Sequence, residues 1–364
     1  MRRRDLMAMA LAGGMNELLE AAQQVGATGS IADSTDWLGP GSLTDVGGIK
    51  VGHFTLKTRP TGCTVILCEA GATAGVDVRG SAPGTRETDL LNPINMVQQV
   101  QAIILSGGSA YGLDTASGVM RYLEKQGKGF RIGNAGVVPI VPAAILMDLG
   151  VGGDFKIRPD ADSGYEACIA ANTNPVAQGN VGAGAGATIG KMFGPNFAMK
   201  SGLGSASIKV GNTGVVVAAI VAVNAVGDVI HPKTGKVLAG ARAADGKGFR
   251  NSMAEIARGY RVELQPAANT TIGVVATNAA LQKVEVSKVA QMAHDGYARA
   301  INPVHTPGDG DTIFALATGT SNVKVNHGMI GALAAEVMAQ AIVRAAVNAT
   351  SITGYPAYRD VNRG

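Results

Sequence analysis

The junction between Asn269 and Thr270 is where a nucleophile could be made. Residues 241–268 are charged and Gly-bearing, contain Pro266, and read as an exposed connection. The chain then becomes Thr270-Thr271-Ile272-Gly273-Val274-Val275-Ala276-Thr277, a β-branched, apolar run that reads as a core strand. A hydroxyl at such a seam suits an N-terminal nucleophile. The Thr hydroxyl attacks the preceding carbonyl, the peptide becomes an ester, and water cuts the ester to free an α-amino group. Nucleophile and base then share one residue. An α-amino group has an unperturbed pKa of about 7.7–8.0 and can take the hydroxyl proton near neutrality. The plain alternative is a Thr pair opening a strand, which Thr favours anyway.

Three further places could serve that chemistry. Asp309-Gly310-Asp311 precedes the strand Thr312-Ile313-Phe314-Ala315-Leu316, and carboxylates two apart at a strand mouth can face one side. They would orient Thr270 and offset the charge on its amine. The same tetrapeptide from Gly308 also has ordinary turn chemistry, and local sequence favours the turn. A calcium loop fails for want of the next Asp or Asn. Lys191 closes a Gly/Ala-rich run over 178–190, and Asn224 closes the apolar run 214–223. As parts of a site they would supply a positive charge and an amide donor for an oxyanion. As bland features they are a solvated Lys and a turn-forming Asn. A phosphate-cradling loop at 178–191 fails, because Ala185 stands where Gly is required and Met192 where Ser or Thr is required.

The elements that must hold these residues are legible in outline. Thr64–Cys68, Ala102–Leu105, residues 214–223, 270–277 and 313–317 read as strands, several of them buried on both faces. Leu113, Ala116, Val119, Met120 and Leu123 repeat at helical spacing after Ser106-Gly107-Gly108. Residues 283–301 and 330–347 carry apolar residues on one helical face, Val286, Val289 and Ala293 in the first and Leu333, Val337 and Ile342 in the second. Interspersed strands and helices imply sheets covered by helices in one globular unit starting near Leu43, after an extension over 1–42.

Composition sets the limits. Of 364 residues, 46% are hydrophobic, 16% charged and 4% aromatic, with 51 Gly, which suits close-packed layers and excludes disorder. The net charge of +4 owes much to Arg2, Arg3 and Arg4, and no basic stripe with interleaved aromatics suggests nucleic acid. Three cysteines and five scattered histidines form no metal spacing and no disulfide framework. Neither a metal nor a cofactor is expected. The N-terminus loosely matches a twin-arginine export signal but lacks a clean cleavage site, so a cytoplasmic location is expected, with periplasmic export as the alternative. No run is convincing as a membrane span.

Taken together, Asn269-Thr270-Thr271-Ile272, Ala276-Thr277-Asn278, His305-Thr306 and Asp309-Gly310-Asp311-Thr312-Ile313-Phe314-Ala315 resemble the DmpA-type N-terminal-nucleophile hydrolases. That family comprises β-aminopeptidases, D-esterase/L-aminopeptidases and endo-type nylon-oligomer hydrolases. The form with Thr and Asp-Gly-Asp is most similar to the nylon-oligomer branch; the aminopeptidase branch typically has Ser at each. Pro60-Thr61-Gly62-Cys63-Thr64-Val65-Ile66, Gly107-Gly108-Ser109-Ala110-Tyr111-Gly112-Leu113, Ala183-Gly184-Ala185-Gly186 with Lys191, and Asn224 before Val226-Gly227 extend the match over about Leu43 to Asn348. The resemblance implies an αββα four-layer sandwich and a chain cut into 1–269 and 270–364 that stays together. It also implies Thr270 as nucleophile and base, with Asp309 and Asp311 positioning it. Asn224 would stabilise the oxyanion and Lys191 support the site, in a homotetramer without cofactor or metal. One departure is Met147, where relatives often carry a substrate-side Tyr. The expected substrates are ω-amino-acid oligomers such as 6-aminohexanoate, then β-amino-acyl or ordinary small peptides. An acyltransferase of the ornithine acetyltransferase type and an uncleaved binding protein are the rival readings.

Overall fold

The computed structural model describes residues 38–246, 248–261 and 269–361. The N-terminal segment with its three arginines, and residues 262–268 of the connection before Asn269, lie outside the described residues.

A nine-stranded mixed sheet organises the chain. Its strands are β1 (Lys50–Thr55), β2 (Gly62–Val78), β3 (Thr85–Arg86), β4 (Gln99–Ser106), β5 (Ala143–Ile145), β6 (Leu203–Lys209), β7 (Val216–Asn224), β8 (Thr270–Thr277) and β9 (Thr312–Ala317). Along the sheet they run β6-β7-β8-β9-β2-β4-β5-β3, and β1 pairs with β2. The long β2 joins the two halves. Its first part, Gly62 to Leu67, pairs with β1, its last part, Thr73 to Val78, with β9, and its register against β4 shifts between Leu67 and Ala72. Such an irregularity bends a strand and increases its twist.

The bend lets the sheet fold on itself. Ile66, Ile103 and Leu105 of one half share a buried cluster with Ala218, Ile220, Ala222, Ile272, Val274, Ala276 and Phe314 of the other. The alternate residues Cys63, Val65, Leu67, Ala102 and Ile104 point outward, onto Ala116, Val119 and Leu123 of α1 (Thr115–Lys125) and Ala167 and Cys168 of α2 (Ala161–Ile169). The period of two in each strand thus fills both an inner and an outer layer. The opposite outer face is covered by α3 (Lys283–Ala300) and α4 (His327–Val347), which pack on each other and on β2, β6, β7 and β9. The result is helix, sheet, sheet, helix. Small residues allow the close approach: a Cβ at Gly204 of β6 would lie 1.9 Å from the Ala341 carbonyl of α4. Helix α4 is long and apolar enough to cross a membrane, but most of it is buried in this outer layer.

Several elements differ from the sequence-based outline. β2 spans 17 residues, not the five apolar ones: Glu69, Gly71 and Gly75 interrupt its hydrophobic pattern, and the pairing that shifts after Leu67 resumes at Ala72. Residues 241–261 are not simply an exposed connection. Ala241 and Ser252 are buried, and the Asp228 carboxylate accepts their backbone N–H groups at 2.8 and 2.7 Å. Asn224 is no turn former; it is the fully buried last residue of β7.

Candidate active site

Strand pairing assembles the candidate residues. β7 runs antiparallel to β8 with Asn224 directly opposite Thr270. β9 runs parallel to β8, Ile272 beside Thr312, which brings the preceding Asp-Gly-Asp alongside the start of β8. Asn269 and Asp309 form a parallel bridge three residues before that pair. Lys191 opens a 3₁₀ turn after Gly190, and its Nζ donates to both the carbonyl (3.0 Å) and Oδ1 (2.9 Å) of Asn224. Residues 39 to 79 positions from Thr270 therefore converge on one point, and Thr270, Asn224, Asp309 and Asp311 are all buried. The Asp-Gly-Asp segment is not a solvated turn, and Lys191 is not a solvated lysine.

The Asn269–Thr270 peptide carries the most specific geometry. The Thr270 hydroxyl donates to the carbonyl oxygen of Asn269. The same oxygen accepts the Gly310 N–H at 3.1 Å. A backbone donor on that oxygen sits where negative charge would develop if the carbonyl were attacked. Glycine is needed at 310 for this approach, since a Cβ there would lie 2.6 Å from the Ala82 carbonyl and 2.9 Å from Thr270 Oγ1.

Around this peptide the charges are perturbed. Burial, then the neighbouring Asp311 charge, pushes the Asp309 carboxyl up to about 6. Burial lowers the Lys191 amine to about 7 against the opposing pull of Asp309, Asp148 and Asp311. Two groups able to exchange protons near neutrality thus act on one another electrostatically at this site, a feature that clusters at functional sites. Asp311 Oδ1 accepts the Thr271 N–H at 2.7 Å, and Asp309 Oδ2 accepts from Thr306 N (2.8 Å) and Oγ1 (2.6 Å).

Asn224 is held from three sides. Its Oδ1 accepts the Thr188 N–H at 3.0 Å as well as Lys191, and its Nδ2 donates to the Met147 carbonyl at 2.9 Å. At position 147, then, the backbone carbonyl binds the site. The adjacent Asp148 is locked by Arg59, Thr61 Oγ1 and the Gly108 N–H at 2.9, 2.6 and 2.9 Å. Sequence reasoning singled out none of Arg59, Thr61, Asp148, Thr188 and Gly310 as functional. The matching segments that begin at Pro60 and Gly107 were the available signal, because they flank Asp148 in space. His294 and His305, 11 residues apart, are also brought together, with ring centroids 4.8 Å apart. Among the described residues no group of three His, Cys, Asp or Glu is suited to a metal, and the three cysteines are free and buried.

Comparison with known proteins identifies the family and the fold. Residues 41–359 match the model of peptidase family S58. The chain is 43% identical over 350 residues to an uncharacterized aminopeptidase of Mycobacterium bovis, covering 89% of this chain and 98% of that one. It is 33% identical over 316 residues to the 6-aminohexanoate-oligomer endohydrolase of a Kocuria strain, covering 83% and 85%. The β-aminopeptidase of a Burkholderia species shares the fold, with a TM-score of 0.63 at 23% identity over 90% of this chain and 98% of that one. So does the L-aminopeptidase D-Ala-esterase/amidase of Ochrobactrum anthropi, described as a variant of the Ntn hydrolase fold, with a TM-score of 0.63 at 18% identity over 85% and 86%. A mixed sheet folded between helix pairs, a family match over nearly the whole described chain, and peptidase and amidase relatives lead to one conclusion: this chain belongs to peptidase family S58 and hydrolyses peptide or amide bonds.

Proposed function

We propose that the chain is a self-processing N-terminal-nucleophile hydrolase whose nucleophile is Thr270. The observation that carries this reading is the Asn269 carbonyl, contacted by the Thr270 hydroxyl on one side and the Gly310 N–H on the other. In maturation, Thr270 Oγ1 attacks the Asn269 carbonyl carbon, the C–N bond breaks, and the Thr270 amine leaves with a proton. Water then hydrolyses the ester, and Asn269 becomes a C-terminal carboxylate. In turnover the freed amine takes the hydroxyl proton, Oγ1 attacks the substrate carbonyl, and the departing amine receives the proton. Water releases the acyl group. Asp309 and Asp311 balance the charge on the amine. Lys191 holds Asn224, and Asn224 offers its amide to the oxyanion.

The substrates we favour are amides of ω-amino acids, including 6-aminohexanoate oligomers, in keeping with Thr and Asp-Gly-Asp at the site and the endohydrolase relatives. An aminopeptidase acting on β- or α-amino-acyl amides is the second reading, favoured by the greater identity to mycobacterial proteins described as aminopeptidases. Denaturing electrophoresis with N-terminal sequencing tests the nucleophile. A fragment beginning Thr-Thr-Ile-Gly-Val is expected, and it should vanish in Thr270→Ala; a folded chain that stays intact would sink the proposal. Parallel assays on 6-aminohexanoate oligomers, β-alanyl-p-nitroanilide and L-alanyl-p-nitroanilide then rank the substrates.

A further inference from the structure

The Lys200 side chain is wholly buried, and its three hydrogen bonds all go to backbone carbonyls: Gly184 at 3.0 Å, Ala187 at 3.1 Å and Ser201. A neutral amine has two hydrogens to give, so three carbonyls around one nitrogen call for the ammonium form. Burial works against that charge and lowers the amine to about 7; the Asp148 charge works for it. Neither self-cleavage nor turnover has yet given this buried cation a part.

Its place in the fold links it to Asn224. Lys200 stands opposite Thr188 in a short antiparallel ribbon, Thr188–Ile189 against Met199–Lys200. The ribbon is tied down further: the Lys200 N–H donates to the Pro356 carbonyl at 2.9 Å, and the Ser201 N–H to the Ala187 carbonyl at 3.0 Å. The Ala187 carbonyl and the Thr188 N–H are the two ends of one peptide unit. The carbonyl end accepts from Lys200 Nζ, and the N–H end donates to Asn224 Oδ1 at 3.0 Å. A peptide unit is planar, so a cation that fixes its oxygen also fixes the direction of its N–H. Hydrogen bonds in series also polarise one another, and a charge on the oxygen makes the N–H a stronger donor. The Asn224 carboxamide continues the series. Its Oδ1 receives Thr188 and, at 2.9 Å, Lys191 Nζ. Its Nδ2 carries two hydrogens, one of them on the Met147 carbonyl. Asn224 pairs with Thr270 across β7 and β8, so the other hydrogen is the one an oxyanion beside Thr270 would take.

We propose that Lys200 is a positioning residue for the oxyanion donor: through the Ala187–Thr188 peptide it aims and polarises the Asn224 carboxamide, which Lys191 does by direct contact. The catalytic half of this assignment rests on the reading of Asn224 as the oxyanion donor; the link from Lys200 to Asn224 does not. The intervening turn has little room to absorb a change at Lys200. On its other side it presses on Asp148, where a Cβ at Gly186 would lie 2.5 Å from both Asp148 Oδ2 and the Pro60 carbonyl.

The test compares Lys200→Met, which removes both charge and donors, with Lys200→Gln, which keeps amide donors without charge. The first readout is the Thr188 amide proton in the full chain labelled with ¹⁵N-threonine, assigned through Thr188→Val. A weakened hydrogen bond moves that resonance upfield, and the shift should be larger in Met than in Gln. The second is turnover of whichever of the three amides named above is cut fastest, with sites counted by the freed Thr270 N-terminus. In Lys200→Met, kcat per site should fall about tenfold with KM unchanged, less than the loss of a whole oxyanion donor costs. A Lys200 that only fills space would lower the urea midpoint but leave kcat per site and the Thr188 signal where they were. That result, or a Thr188 signal that moves while kcat does not, would overturn the assignment. If the Met variant fails to fold, Gln against the parent carries the same comparison. An Asn224→Ala chain with parental kcat would end the oxyanion reading instead. The Thr188 signal needs no turnover and would still decide whether the Lys200 charge reaches Asn224.

Discussion

Two buried charge clusters flank the Asn269–Thr270 junction, and they are finished to different degrees. In the first, Arg59 donates to the carbonyls of Ile157, Asp148 and Val151 and to Asp148 Oδ1, while Asp148 also accepts from Thr61 and Gly108. Both side chains are fully buried. In the second, Lys191 lies in the field of Asp309 and Asp311, and neither Asp309 Oδ1 nor Asn269 Oδ1 has a hydrogen-bond partner among the described residues. A guanidinium with its planar fork of donors suits the closed cluster; an amine whose proton can leave suits the open one. The difference teaches where structure ends and chemistry begins: the satisfied cluster holds the Met147–Asp148 segment against Asn224, and the unsatisfied one keeps acceptors in reserve.

Substitutions at the two cations would break this comparison most directly. Arg59→Met leaves Asp148 buried without a counter-charge and should cost about 3–5 kcal/mol, seen as a lower urea midpoint at unchanged slope. Lys191→Met should stay within about 1 kcal/mol of the parent yet abolish self-cleavage. Equal losses of stability in the two variants would show that the clusters are alike after all.

The pH dependence of stability sharpens the contrast at smaller scale. Asp309 in the folded chain is raised to about 6, above its unfolded value of about 3.9. The native state therefore binds the proton more tightly between these values, and stability falls as pH rises from about 4 to about 6, by on the order of 3 kcal/mol. In the Thr270→Ala background, Asp309→Asn should flatten that window in urea titrations run at successive pH values. The smallest expected effect is at Thr188. Its hydroxyl reaches Asn224 Oδ1 at 3.3 Å beside a better backbone donor at 3.0 Å. Thr188→Val should cost about 0.5–1 kcal/mol in a thermal melt and slow cleavage only slightly.

How much of this the sequence disclosed depended on the length scale of the signal. β8 and α3 were legible almost to the residue, because β8 is buried on both faces and Val286, Val289, Ala290 and Ala293 repeat on one helical face. The second half of β2 was hidden by its own packing: Gly75 lies so close to α3 that a Cβ would meet the Ser287 backbone at 2.6 Å, and such a residue reads as a break in a strand. At the site, the fold brings Thr270, Asp309, Asp311, Asn224 and Lys191 together, residues that the sequence had singled out from four separate segments. Gly310 was passed over because its contribution is a backbone N–H, which no residue type announces. Arg59 and Asp148 were passed over because a pair 89 positions apart leaves no local pattern.

The place of β8 within the sheet has a consequence for the life of the protein. β8 and β9 lie side by side, flanked by β7 on one edge and β2 on the other, and α3 and α4 cover strands from both sides of residue 269. A cut at Asn269–Thr270 would leave two polypeptides threaded through one another, bound in a ratio of one to one with no association step. Before the cut, refolding from denaturant is a unimolecular search. After it, the same fold can be regained only by an encounter of two chains, at a rate set by concentration. Maturation would thus act as a ratchet: it leaves the native architecture untouched and removes the easy road back to it.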